Sequence, residues 1–280
     1  YYLTPAQALR RRRLLVLGAA AAVAGVLVVV NTWSLPAAAG VVGLSVLFAG
    51  RDPRGLLPAP VAGRLPTGSG VAGELVRVVV AVVVAVAVVI LALLWSFPFV
   101  LRRALATSSQ SLGLGVLPDR TGLLALLLVH GWFLLIYGLY LVGKRGFLVD
   151  REGLGLGLVA GVVVAGLLAD AAAVAVVVPL LAVGWYLLRR SAAVGYETAL
   201  FVAGAGLVVL VEFVFLKEQA GPGRFNTVFK TYAQIWVLWG VGAGAVMATL
   251  LPRRVERRTR RGVASTALAV LLVASASIYR

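Results

Sequence analysis

The sequence predicts an all-α fold, a polytopic integral membrane helix bundle of about nine transmembrane spans. Three observations carry this. Hydrophobic residues make up 61% of the chain and charged ones only 13%, more apolar surface than a soluble domain buries. The apolar residues come in runs, and runs of about 18 or more mean membrane-spanning helices. Lys and Arg cluster at the ends of alternate runs, as cytoplasmic loops require. The short alternating strands of a transmembrane β-barrel do not occur in the sequence.

The runs cover residues 14–31, 37–50, 74–97, 122–143, 154–169, 171–188, 195–216, 227–251 and 262–279. The second and fifth are short, which suits tilted half-spans or a tight hairpin around Asp170. Segment 52–70 is rich in Pro and Gly and reads as a loop. No internal repeat is evident, and the loops are too short for a soluble catalytic domain. The whole of 1–280 is therefore read as one transmembrane domain. Position 1 is Tyr and the only Met is Met247, so the chain is expected to be part of a longer or processed protein. The run after Arg10–Arg13 has no clear cleavage site and opens a series of similar spans, so it is not read as a signal peptide.

Orientation comes from the cations. Arg10–Arg13 precede the first run. Arg51, Arg54 and Arg64 follow the second, Lys144, Arg145 and Arg151 the fourth, and Arg189 and Arg190 the sixth. Arg253, Arg254, Arg257, Arg258, Arg260 and Arg261 follow the eighth. These connections are assigned to the cytoplasm. "NTWSLP" at 31–36, residues 95–122, the turn near Asp170 and residues 212–230 then face outward, in the plasma membrane of a cell.

The net charge of +16 reflects these loops. Nucleic acid is not an expected partner, since basic and aromatic residues are not interleaved on any soluble segment. Membrane lipids are. The chain has no Cys, hence no disulfide, thiol nucleophile or thiolate metal site, and its single His argues against a histidine metal centre. No cofactor is expected; a divalent metal is left open.

One stretch breaks the apolar pattern: "VEFVFLKEQAGPGRFNTVFKTYAQIW", residues 211–236. "GPG" at 221–223 predicts a tight turn, because Gly tolerates positive φ and Pro fixes its own. Asn226 is a suitable cap for the next helix. Asn226, Lys230 and Gln234 then recur every four residues and share a helical face, with Thr227 and Thr231 beside them. Such a polar stripe is costly in lipid unless it faces the bundle interior or a wet cavity. Glu212 and Lys230 are accordingly expected to face inward and to interact. Lys217, Arg224, Lys230 and a helix N-terminus suit an anion such as a phosphate headgroup. Glu212 and Glu218 are candidate bases beside it. As an interfacial anchor, the same lysines would snorkel and the aromatics would pack.

These residues resemble a family signature. "EFVFLKE" followed by "RFNTVFKTYAQIW" is similar to the pattern of the YYY family of large prokaryotic membrane proteins (domain of unknown function 2298). That pattern runs Glu, five residues, an acid, then Arg-x-Asn-Thr-x-Phe-Lys with a Trp downstream. "NTWSLP" resembles the family's Asn-x-Trp-Asp-x-Pro segment. "FPF" at 97–99 and "RTGLLALLLVHGWFL" at 120–134 fit its middle region. Ser34 stands where the family usually has Asp, and Glu218 where Asp is usual. The family is grouped with the GT-C glycosyltransferases, which use polyprenyl-phosphate sugars at the outer membrane face. The resemblance therefore implies a GT-C-like fold and a polyprenyl-phosphate-linked sugar donor.

Other residues are weighed beside these. Trp33 and Trp95 sit at span ends and suit an aromatic belt, with Trp33 also a candidate substrate contact. Asp119 and Arg120 suit a local ion pair at a helix start, and Arg120 could also join the anion site. His130 reads as a buried, hydrogen-bonded histidine, or as a proton relay. Arg102 and Arg103 suit lipid phosphate or solvent. "GLGLG" at 153–157 opens a membrane helix rather than a phosphate loop. Three functions fit: a GT-C-type membrane glycosyltransferase, a transporter or flippase of an anionic lipid or solute, and a non-catalytic scaffold.

Overall fold

A computed structural model describes residues 5–49, 53–66, 70–106, 113–116, 119–144, 152–190, 194–217 and 223–250. The chain forms two compact units that divide between Leu112 and Gly113.

The first unit holds α1 (Pro5–Val30), α2 (Ser34–Leu47), α4 (Val71–Trp95) and α5 (Phe97–Ala106). A 3-10 turn (Pro53–Leu56) and the one-turn α3 (Ala59–Ala62) fill the Pro-rich loop between α2 and α4. Small side chains let α1 and α4 approach closely. Ala21, Ala24 and Val28 are buried on one helix and Val80, Ala81, Val84, Val88 and Ala92 on the other. A Cβ on Gly25 would meet Trp95 Cδ1 at 2.9 Å and the Ala92 carbonyl at 3.0 Å, so only Gly fits that crossing. Arg13 and Arg54, both assigned to one face, bond within the Pro-rich loop region of this unit, and Arg77 bonds just before it. Arg13 donates to the Gly55 carbonyl, Arg54 to Pro66 at 3.0 Å and Arg77 to Ala49 at 3.2 Å.

The second unit holds β1 (Gly113–Val116), α6 (Leu123–Gly143), α7 (Glu152–Leu168), α8 (Ala172–Arg190), α9 (Tyr196–Val211), β2 (Val214–Lys217) and α10 (Phe225–Leu250). Its centre is α9, whose residues Thr198 to Ala205 are buried without a break. A helix apolar all round has to be covered all round, and α8 and α10 flank it. Trp239 on α10 donates its indole N–H to the Phe201 carbonyl of α9 at 2.9 Å. Gly204 makes room for that indole, since a Cβ there would overlap Trp239 Nε1. Tyr137 of α6 stacks on Phe201 at 4.3 Å and completes the core.

The expected hairpin around Asp170 is present. Asp170 takes φ 49°. Its N–H bonds Leu167 O at 3.1 Å and the Ala171 N–H bonds Gly166 O at 2.7 Å. Paired bonds of this kind close a helix C-terminus at a left-handed residue, a position that Asp tolerates better than most. "GLGLG" opens α7, as expected.

Each of the first eight predicted runs coincides with a helix, and the ninth, 262–279, lies outside the described residues. Among the described residues, four helices are long and apolar enough to cross a membrane: Arg11–Val30, Val71–Trp95, Leu123–Gly143 and Ala172–Arg189. α2 and α9 are apolar but shorter. Large apolar side chains stand exposed along α4 and α6, as suits helices surrounded by lipid. The seventh run is shorter than expected because α9 stops at Val211, where the charge of Glu212 must be met. Its last residues, 214–216, belong to a strand (Val214–Lys217) instead, so a fold read as all-α carries a two-stranded sheet.

Candidate functional site

The site is built at the end of the second unit where α9 stops and α6 and α10 start. After Val211 the chain makes a tight turn, with Glu212 N–H on Val209 O and Phe213 N–H on Leu210 O, both at 3.1 Å. β2 then runs antiparallel to β1, with Gly113 opposite Lys217, Gly115 opposite Phe215 and Val116 opposite Val214. The Phe215 ring occupies the space above Gly115, where a Cβ would overlap it. Thr227, in the first turn of α10, accepts from the Leu216 N–H at 3.1 Å and so latches the strand to that helix. Gly223 enters α10 at φ 58°, a left-handed conformation that glycine adopts without penalty.

Three side chains lock these segments together. Glu212 is fully buried. One oxygen accepts from the Thr121 hydroxyl at 2.6 Å and from Arg224 Nη1 at 3.0 Å, and the other from the Thr121 N–H at 3.0 Å. Arg224 also donates to Val211 O and to the Thr121 hydroxyl, each at 2.8 Å. Thr121 thus donates to the carboxylate while accepting from the guanidinium. The Tyr232 hydroxyl lies 3.5 Å from the same Thr121 oxygen. Buried charge persists when it is paired and its remaining donors and acceptors are filled, as here.

This arrangement changes several sequence assignments. The carboxylate of Glu212 takes Arg224 as its ion-pair partner, where Lys230 was expected. Arg224 is nearer in the chain, and its planar fork reaches Val211 O, Glu212 and Thr121 together. The buried face of α10 is Thr227, Thr231, Ile235 and Trp239; the Asn226, Lys230 and Gln234 stripe is half-buried along its flank. Asn226 falls inside α10, which starts at Phe225, and Arg224 O accepts the first helical bond, from Val228 at 3.0 Å. Asn226 is therefore not the cap. Arg120 sits half-buried with its guanidinium 5.3 Å from the Phe213 ring centre, a cation–π contact. Lys217 is exposed at the end of β2. Glu218 and the first two residues of "GPG" lie outside the described residues. Trp33 belongs to the first unit, where its backbone N–H donates to the Asn31 side-chain oxygen at 3.2 Å.

His130 is fully buried, but the hydrogen bonds expected of it are not made: neither ring nitrogen has a partner. Thr121 and Tyr232 were not anticipated as site residues. Thr121 precedes a helix and looks like part of a cap, and nothing local marks a partner 91 residues on.

The clasp determines what each group can do. The Glu212 oxygens are occupied and shielded from solvent, so this side chain holds the loop rather than reaching a substrate. Arg224 is largely engaged by protein acceptors. Among the described residues, no three of His, Asp and Glu gather as a metal-ligating group. No curated protein and no solved structure matches the chain. A family model does match, over residues 1–239, that of an uncharacterized membrane protein family. With its apolar helices and most of its length inside that match, the chain belongs to the membrane protein family DUF2298.

Proposed function

We propose that the chain is a membrane glycosyltransferase of GT-C type, taking a polyprenyl-phosphate-linked sugar at the outer face of the plasma membrane. The observation that most supports this is a cluster of cations in the second unit: Arg224 on the buried carboxylate of Glu212, Arg120 over the neighbouring Phe213 ring, and Lys217 at the far end of β2. Arg224 already neutralises that carboxylate, so the remaining cations favour an anionic headgroup. The resemblance of residues 212–236 to the YYY signature supplies the class of donor.

The residue roles differ from a simple charge count. Glu212, Thr121 and Arg224 are positioning residues that hold β2 and the start of α10 in place. Lys217, Arg120 and Lys230 hold the donor phosphate, with Asn226 and Gln234 orienting it. Glu218, next in the chain after Lys217, takes the proton of the acceptor hydroxyl. The acceptor oxygen bonds to the sugar's anomeric carbon as the bond to phosphate breaks. The polyprenyl phosphate leaves with the electron pair, its charge stabilised by the cations. The mutual pairing of Glu212 with Arg224 also favours a second reading, a scaffold in which this cluster only joins helices.

Binding of a polyprenyl phosphate to the chain in lipid nanodiscs separates the two. Lys217→Ala with Arg120→Gln should weaken binding, and Glu218→Gln should spare binding while abolishing sugar transfer. Binding unchanged by the double variant removes the donor site and leaves the scaffold. Full transfer by Glu218→Gln removes Glu218 as the base.

A further inference from the structure

The imidazole of His130 lies on α6 in the middle of the second unit, fully buried, with neither nitrogen hydrogen-bonded by protein. An imidazole with one proton has an N–H to give and a bare nitrogen that needs a donor. Its neighbours are aromatic. Tyr232 packs against it in a T-shape with ring centres 4.4 Å apart, and Trp239 does so at 5.3 Å. A ring face can receive an N–H weakly, but it has no proton to offer the bare nitrogen. The indole N–H of Trp239 is already given to the Phe201 carbonyl. The hydroxyl of Tyr232 reaches the other way, toward Thr121 and the Glu212–Arg224 pair. A buried polar atom left unmatched is among the more costly features a fold can keep, and ordered water is the usual remedy.

We propose that His130 holds an internal water, and that Tyr232, whose ring packs on the imidazole, couples this site to the Thr121–Glu212–Arg224 clasp. The ligand is water, donating to the bare imidazole nitrogen. Tyr232 is the link. Its ring edges the imidazole and its hydroxyl lies 3.5 Å from the Thr121 oxygen that binds both members of the ion pair. A change at the clasp then alters the hydrogen bonding of a histidine about two turns inside the bundle. The inference stands apart from sugar transfer and holds equally for a scaffold.

His130 is the only histidine in the chain. The chain labelled with 15N-histidine therefore gives one pair of ring signals, which makes the test direct. In nanodiscs with no added substrate, solid-state NMR should show magnetisation transfer from water to the ring nitrogens. Tyr232→Phe, which removes only the hydroxyl at Thr121, and Thr121→Val, which does not touch the imidazole, should each shift the ring resonances. A folded wild-type chain with no transfer from water has a dry histidine and overturns the proposal, whether or not either variant folds. Ring signals unmoved by both variants overturn the coupling.

Discussion

Arg224 Nη1 lies 3.0 Å from Glu212 Oε1, and the same nitrogen reaches the Val211 carbonyl at 2.8 Å. One guanidinium thus binds both the side chain that ends α9 and the last carbonyl of that helix. Removing either partner strands the other in a largely buried position. Glu212→Ala and Arg224→Ala should each destabilise the protein by about 3–5 kcal/mol. The double variant should lose less than the sum of the two. Chemical unfolding in mild detergent measures all three, and a strictly additive result would refute the pairing.

Thr121 contributes through its hydroxyl, which gives a proton to the carboxylate and receives one from Arg224. Thr121→Val keeps the shape and deletes the oxygen, at an expected loss of about 1–3 kcal/mol. Thr121→Ser should retain most of the stability in the same assay. Equal behaviour of the two variants would mean that packing, not the hydroxyl, matters there.

Gly204→Ala tests the crossing of α9 and α10. The added methyl would overlap Trp239 Nε1 and displace the indole from the Phe201 carbonyl. Overpacking of this kind costs about 1–3 kcal/mol. Tryptophan fluorescence should shift as the buried indole moves, and wild-type emission together with wild-type stability would show that the helices separate freely.

The topology can be read by labelling, because the chain has no native cysteine. α6 has 21 residues, a rise of about 31 Å, enough to cross hydrocarbon. Thr121 before it belongs to the clasp end and Lys144 caps the other end. Lys217→Cys should therefore react with an impermeant thiol reagent from the side opposite to Lys144→Cys and Arg257→Cys. Reaction of positions 217 and 257 from one side would sink the alternating arrangement.

The helices were legible because lipid leaves a strong record in sequence: long apolar runs, with arginine at alternate ends. The ends of the helices were less so. The seventh run continues in apolar residues through Phe213 to Leu216, and hydropathy does not distinguish a further helical turn from a strand. What ended α9 was a partner for Glu212 supplied by Thr121, far off in the chain. The clasp was half legible. Glu212 and Arg224 stood out as charges in an apolar chain, but choosing between Arg224 and Lys230 needed the geometry of the turn. Tyr232 and His130 gave no charge signal at all, and their contact depends on how α6 meets α10.

The β1–β2 ladder and the clasp join residues near 115–121 to residues near 212–224, with α6 to α9 between them. A ribosome makes these halves one after the other. Thr121 and β1 therefore emerge with no partner, and Glu212 lacks its ion-pair partner until Arg224 is made. Contacts between such distant segments form late, after the intervening chain has been ordered. This end of the unit is accordingly a closing latch for biogenesis. Chains arrested before Arg224 should insert their helices and yet stay open to protease at residues 113–121, becoming resistant once Arg224 has cleared the exit.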